Sequence, residues 1–257
     1  MNIVVVLKMV PDVVEELELA ADNKGLDQDL LRMILSESDD HALEQALLIK
    51  EREGGHVTAA ALEASGVDDA LFTALAKGAD RAVRIVAATD PLDVERSATA
   101  LVGWLRTLEP APDLIVTGTQ AIDDLRGLAA PWIAHLMGRP FVGIITSVAR
   151  APVANHLLVL KEFPGSVRAE IDVPLPAVLG IQAAEKPPRY VPVARVRAAT
   201  KTQRIDVVDA VVAARPGAVE MLAVAKPQAA GHAEMIEGDV ESAAGRLVEI
   251  LEARGLA

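Results

Sequence analysis

The chain has no cysteine, which removes disulfides, thiol catalysis and cysteine-held metal or iron–sulfur sites. Only 2% of its residues are aromatic while 51% are hydrophobic, so its core has to be assembled from Ala, Val, Leu and Ile. It also lacks the local signatures of common chemistries. No G-x-G-x-x-G follows the first apolar run and no G-x-x-x-x-G-K-[ST] occurs, so the usual dinucleotide and P-loop fingerprints are missing. There is no G-x-S-x-G elbow, and His41, His56, His135, His156 and His232 are scattered without metal-ligand spacing. Positive charge is in short supply: the formal net charge is −12, which repels phosphate backbones and argues against nucleic acid as the main partner. The opening MNIVVVLKMVPD has no basic start and no small-residue cleavage site, and its apolar run is too short to span a bilayer. A soluble, cytoplasmic chain without direct membrane insertion is expected.

What is present is a rhythm of apolar runs and helical patterns. Residues 3–7, Ile-Val-Val-Val-Leu, are apolar on both faces and read as a central parallel strand; 57–62, 82–87 and 114–117 read the same way. Helices are expected from near Ser38 to the Gly54-Gly55 stop, from 68 to 77 before Gly78, from 93 to 108, and from 125 to 137 before Gly138. Four strand–helix repeats predict an α/β fold, a mostly parallel twisted sheet with flanking helices. After Arg139-Pro140 the runs 141–148, 156–160, 167–173 and 177–181 follow each other with only short turns and predict added, partly antiparallel strands. From Ala183 the periodicity fades through Lys186-Pro187-Pro188-Arg189-Tyr190, and 191–236 carries Pro192, Pro216 and Pro227 without a clear element. An amphipathic helix is expected at 239–254. The division is therefore an α/β domain, 1–190, and a C-terminal extension, 191–257, whose irregular length suits a segment lying on a partner subunit.

Ligands of open α/β sheets sit beyond the carboxyl ends of the strands. That singles out 8–12, 62–65 and above all 118–127, Gly-Thr-Gln-Ala-Ile-Asp-Asp-Leu-Arg-Gly. The acidic pairs Asp39-Asp40 and Asp123-Asp124 read as helix caps that shape a pocket rather than as catalysts, since neighbours in sequence rarely point together. Acids at a helix start compete with a bound anion; Arg126 works the other way.

The order LKMVPD, DDHALEQALLIKE, ALAKGADRAV, PDLIVTGTQAIDD and LPAVLGIQAAEKPPRY resembles the β subunit of electron transfer flavoproteins over about residues 1–200. The resemblance implies a nucleotide-hydrolase-like α/β fold and an electron carrier without catalytic residues of its own. It implies a heterodimer with an α subunit that holds most of the redox FAD. The donor would be a flavin dehydrogenase and the acceptor a membrane quinone oxidoreductase. It implies AMP in a β-subunit pocket made by Val6, Ser36, Asp39, Leu62 and Gly118, Thr119, Gln120, Ala121, Ile122, Asp123, Asp124, Leu125, Arg126 and Gly127. There Gly118 would let the backbone approach the nucleotide, Gln120 and the loop amides would bond it, and the acids would shape the turn. It implies a partner-docking loop at Ala183, Ala184, Glu185, Lys186, Arg189 and Tyr190, and places Glu162 at the subunit interface.

The chain departs from that family where it matters for ligands. Ser36-Glu37-Ser38 replaces Asn-Pro-Phe, Glu63 stands where a glycine is common, and Val13 stands where some members have an aromatic near the flavin. AIDD continues as Leu125-Arg126-Gly127 instead of Asp then Asn-Gln-Thr, or the Gly-Asp-Thr of electron-bifurcating members. Either Arg126 replaces the missing polar contacts to phosphate or the pocket is empty, and a second, redox-active FAD is disfavoured. The docking loop has only Ala183 and Ala184 where a leucine often anchors, which points to a dehydrogenase other than the acyl-CoA type, held more by charge. Two readings of other classes compete. A nucleotide-binding regulatory module resembling universal stress proteins explains the strand–helix repeats but not 186–190 or the tail. An NAD-dependent oxidoreductase would need the absent glycine fingerprint.

Overall fold

A computed structural model describes residues 1–87, 94–124, 126–211, 222–227 and 235–256. Its first strand, β1 (Asn2–Leu7), is flanked on both sides by parallel neighbours and is buried from Ile3 to Leu7, as a run apolar on both faces requires. A short hairpin of β2 (Met9–Pro11) and β3 (Met33–Leu35) leads into helix α1 (Glu37–Glu53). Then follow β4 (His56–Leu62), α2 (Val67–Lys77), β5 (Arg81–Ala87), α3 (Val94–Leu105), β6 (Leu114–Gly118) and α4 (Ala129–Met137). The second half adds β7 (Phe141–Arg150), β8 (His156–Phe163), β9 (Val167–Pro174), β10 (Ala177–Ile181), α5 (Val193–Thr202), β11 (Ile205–Ala210) and α6 (Val240–Ala253).

One nine-stranded sheet runs β11-β5-β4-β1-β6-β10-β7-β8-β9. Every pair from β11 to β7 is parallel; only β7–β8 and β8–β9 are antiparallel. Side chains alternate along β1. Ile3, Val5 and Leu7 meet Leu43 and Leu47 of α1 and Leu71 of α2, while Val4 and Val6 meet Leu101 and Trp104 of α3 and Ile133 of α4. The chain moves outward from β1 through β4 to β5 with α1 and α2 on one face. It then crosses to β6 on the other side of β1 with α3 and α4 on the opposite face. The topological switch point thus lies between β1 and β6.

Three expectations are corrected. β10 is not one of the added antiparallel strands: it slots between β6 and β7 and completes the parallel centre, with all five residues buried. The fourth helix begins at Ala129, not near residue 125, because 121–124 forms a turn closed by the Ala121–Asp124 bridge and 126–128 are not helical. The stretch after 190 is not without elements: α5 packs on α2, and β11 pairs in parallel with β5 along all six of its residues. Beyond it, Val224 N–H donates to Asn23 O and Lys226 pairs with Glu18, so this part of the tail returns to the loop before β3. The last helix matches its expected span. Its cap, Asp239, accepts from Ser242 N–H at 2.8 Å, and none of its residues is buried.

Candidate functional site

At the switch point the exits of β1 and β6 are held together by one side chain. Asp39, in the first turn of α1, is 5% exposed; its Oδ1 accepts from Gly118 N–H at 2.6 Å and its Oδ2 from Lys8 N–H at 3.1 Å. Burial pushes its pKa up to about 7 against the lowering effect of those two amides and of the Lys8 charge. Asp39 is therefore a clamp between strands, not a helix cap. Its neighbour Asp40 pairs with the buried ammonium of Lys77 on α2. A Cβ on Gly118 would lie 2.2 Å from Ser38 Oγ and 2.8 Å from Asp39 Oδ1. The space that glycine leaves is filled by the start of α1.

Above the clamp lies a cavity of about 360 Å³, lined by Val10, Pro11 and Val13, by Ile34 to Ser38, and by Gln120, Ala121 and Ile122. Its polar groups come from Ser36, Ser38, Glu37 and Gln120. Ser36 and Ser38 hydroxyls lie 3.1 Å apart, and Ser38 Oγ–H donates to Gln120 O, tying α1 to the loop. Lys8 Nζ donates to Asp123 Oδ1 at 2.6 Å and ties the same loop to β1. Thr119 Oγ1 donates to Gly180 O and accepts from Ile144 N–H, fixing the loop's first residue between β10 and β7. Gly127 closes the turn at φ 60°, where a Cβ would lie 2.6 Å from Thr119 O. A larger cavity, about 450 Å³, lies at the amino-terminal edge of the sheet. Its charged groups are already committed: Asp113 to Asn2 N–H, Glu53 to Arg150 and His156 to Asp172.

Of the residues expected in the nucleotide pocket, Ser36, Gln120, Ala121 and Ile122 line the cavity, and Asp39 and Gly118 lie in its floor. Val6 and Leu62 pack into the core on the α3–α4 side and do not line it. Asp123 is held by Lys8, Asp124 closes the turn, and exposed Arg126 stands next to Gly127. Leu125 lies outside the described residues. The expected competition between acids and an anion at α4 does not arise: its first turn contains no acid and its start has no side-chain cap. Sequence reasoning missed Ser38 and the β2–β3 hairpin. The signal was the pair of short apolar triplets Met9–Pro11 and Met33–Leu35 flanking a polar stretch. Among the described residues no cluster of His, Asp or Glu is arranged to hold a metal, and no helix is long and apolar enough to cross a membrane.

A family model of the electron transfer flavoprotein domain matches residues 26–213. The chain belongs to the electron transfer flavoprotein family. It is 29% identical over 264 residues to the electron transfer flavoprotein subunit beta of Methylophilus methylotrophus, covering 98% of both chains. It is 31% identical over 252 residues to that of Syntrophomonas wolfei, covering 97% of this chain and 95% of the other. The corresponding protein of Clostridium acetobutylicum is 28% identical with 98% of each chain covered. Similarity along the whole chain to β subunits makes its role that of an electron transfer flavoprotein β subunit, an electron carrier associated with flavin.

The loop expected to dock a partner of the flavoprotein is fastened to α1. Glu185 N–H donates to Gln45 Oε1, and its carboxylate accepts from Gln45 Nε2, Val148 N–H and Arg52. Burial pushes the Glu185 carboxyl up, but these bonds and the Arg52 charge outweigh it and hold it below its usual range. Ala184 N–H donates to His41 Nδ1. Arg189 forks onto buried Glu44, with Nε and Nη2 at 2.9 Å, and reaches Glu51 with Nη1 at 2.6 Å. Lys186 and Tyr190 remain exposed, Tyr190 at 84%. Glu162 sits near the tip of the β8–β9 hairpin and pairs across the strands with Arg168 at 3.1 Å.

Proposed function

We propose that this chain is the β subunit of a cytoplasmic heterodimer, in which an α subunit holds most of the FAD and the β cavity holds AMP. The observation that carries the nucleotide reading is the cavity at the β1–β6 switch point. Its volume is of the order needed for a small ligand, its wall offers the hydroxyls of Ser36 and Ser38 and the amide of Gln120, and its apolar side comes from Val10, Val13 and Ile34. The acid-free, uncapped N-terminus of α4, preceded by Arg126, supplies amide donors and a cation for a phosphate. Bound FAD supplies the redox chemistry; this chain's residues bind, position and cover. Electrons enter from a flavin dehydrogenase and leave to a membrane quinone oxidoreductase. Helix α6 of the C-terminal extension, with its exposed apolar side, lies on the α subunit, and Glu162 faces it.

The test is co-production with the α subunit followed by denaturation and nucleotide analysis. One FAD and one AMP per heterodimer are expected. FAD alone would remove the AMP assignment, and a colourless homo-oligomer would remove the heterodimer.

A further inference from the structure

The cavity of about 450 Å³ at the amino-terminal edge of the sheet lies at the opposite end from the switch point, and two parts of the fold meet there. One is the central sheet, represented by Asp113 just before β6. The other is the β7–β8 turn. β7 shifts its register between Ile145 and Ser147, and Ile144 there has φ 61°, so the strand changes direction. Its second half lies along α1: Arg52 of that helix donates to Val148 O, and Arg150 Nη1 donates to Glu53 Oε2 at 3.2 Å where the helix ends. This carries Arg150, Asn155 and His156 back to the strand starts. The link between β9 and β10 crosses the gap. Leu175 N–H donates to Asn155 O at 2.9 Å on one wall, and Ala177 N–H donates to Asp113 O at 3.1 Å on the other. The two anchors are two residues apart, a chain span of at most about 7 Å.

The internal bonds use one atom of each charged group and leave another for a ligand. On the turn side, Arg150 gives only Nη1 to Glu53, and the Asn155 side chain bonds to none of the described residues. On the sheet side, Asp113 Oδ2 accepts from Asn2 N–H at 2.7 Å, which leaves Oδ1. Arg139 is close enough for its charge to act on Asp113, but its Nη1 is held by Pro112 O and it does not line the cavity. His156, its ring fixed by Asp172, closes the cavity beside Arg150, and Leu157, Leu175 and Pro176 supply an apolar surface. We propose that this cavity binds a small dipolar ligand with a carboxylate at one end, an ammonium at the other and an apolar stem between them. The carboxylate meets Arg150 and the Asn155 amide, the ammonium meets Asp113 Oδ1, and both contacts are charge-assisted. A ligand of one charge would satisfy one wall and face the like charge of the other. A phosphate ester would add negative charge beside both Glu53 and Asp113. An α-amino acid carries its two charges too close together to reach both walls. This site is separate from the switch-point cavity and does not depend on the function proposed for it.

The experiment titrates the heterodimer calorimetrically with four probes. δ-Aminovalerate has the expected form, valerate and pentylamine keep one charge each, and L-norvaline is the isomer with both charges at one end. δ-Aminovalerate should bind saturably at one site per chain, and the other three roughly tenfold or more weakly. Arg150→Gln and Asp113→Asn should each weaken δ-aminovalerate roughly tenfold or more. Arg150→Lys should restore part of that affinity, which a merely structural loss would not allow. Flavin and nucleotide content should be unchanged, since Arg150 is 72% exposed and the Asp113→Asn side chain still accepts from Asn2 N–H. If Asp113→Asn fails to fold, Arg150→Gln and the four probes on the unsubstituted protein decide the matter. Absence of saturable binding at millimolar δ-aminovalerate overturns the inference. So does equal affinity for valerate, pentylamine or L-norvaline, or unchanged binding in the Arg150→Gln variant. Displacement of δ-aminovalerate by AMP overturns it too, by moving the binding to the switch-point cavity.

Discussion

Asp39 and Gly118 illustrate how one acid and one missing side chain organise the ligand end of the sheet. Gly118→Ala places a methyl group against Ser38 and Asp39, where α1 begins, so the helix start has to move. A loss of about 1–3 kcal/mol is expected from such overpacking, read as a lower denaturation midpoint of the heterodimer. Asp39 makes a prediction about pH. Its folded-state pKa of about 7 lies above the ordinary 3.8, so the native chain holds a proton that the unfolded chain releases. Stability from this group is fully present below pH 3.8 and is lost as the pH rises through 7. Asp39→Asn should remove that slope, and denaturant midpoints measured in steps from pH 4 to 8 report it; parallel profiles for the two proteins would show that Asp39 does not titrate there.

At the scale of elements, α1 carries both the cavity and the fastened strap. Its cap residue Ser36 and its first-turn residues Ser38 and Asp39 face the switch point, and its later turns present Glu44, Gln45, Glu51 and Arg52 to 184–189. Arg189→Ala leaves the Glu44 carboxylate buried without its fork. A cost of about 3 kcal/mol is expected, at the low end for a broken buried pair because Arg189 is partly exposed. Arg189→Lys should recover little of it, since an ammonium cannot reproduce two parallel bonds. Chemical denaturation of the three proteins checks both statements. α4 makes the second prediction at this scale. If its uncapped start and Arg126 receive the phosphate, Arg126→Ala should weaken nucleotide retention roughly tenfold or more, measured by dilution and nucleotide release while FAD content stays constant.

For the whole molecule, the exposed apolar residues of α6 set an expectation about assembly. Val240, Leu247, Val248 and Leu251 are between 42% and 88% exposed, and none of the helix is buried. The chain produced alone should melt lower than in the heterodimer and should self-associate; size-exclusion chromatography and thermal unfolding with and without the α subunit measure this. A stable monomer with the same melting point would remove the need for a partner on α6.

The sequence by itself determined what depends on neighbours along the chain. The β-branched run of β1, the four strand–helix repeats, the glycine stops of α1, α2 and α4 and the cap of α6 are all local patterns, and the structure places them within a few residues of their expected spans. The family was legible for the same reason, in motifs such as Gly118 to Asp124. Only the tertiary structure decided which strands meet. β10 enters the sheet between β6 and β7, and β11 joins β5, because backbone pairing satisfies hydrogen bonds whose partners lie far away in sequence. It decided that Gly118 yields to α1 and that Asp39 clamps two strand exits. It likewise fastened Glu185 and Arg189 to α1. In each case burial and long-range proximity, which no local pattern encodes, choose among partners that the sequence merely makes available.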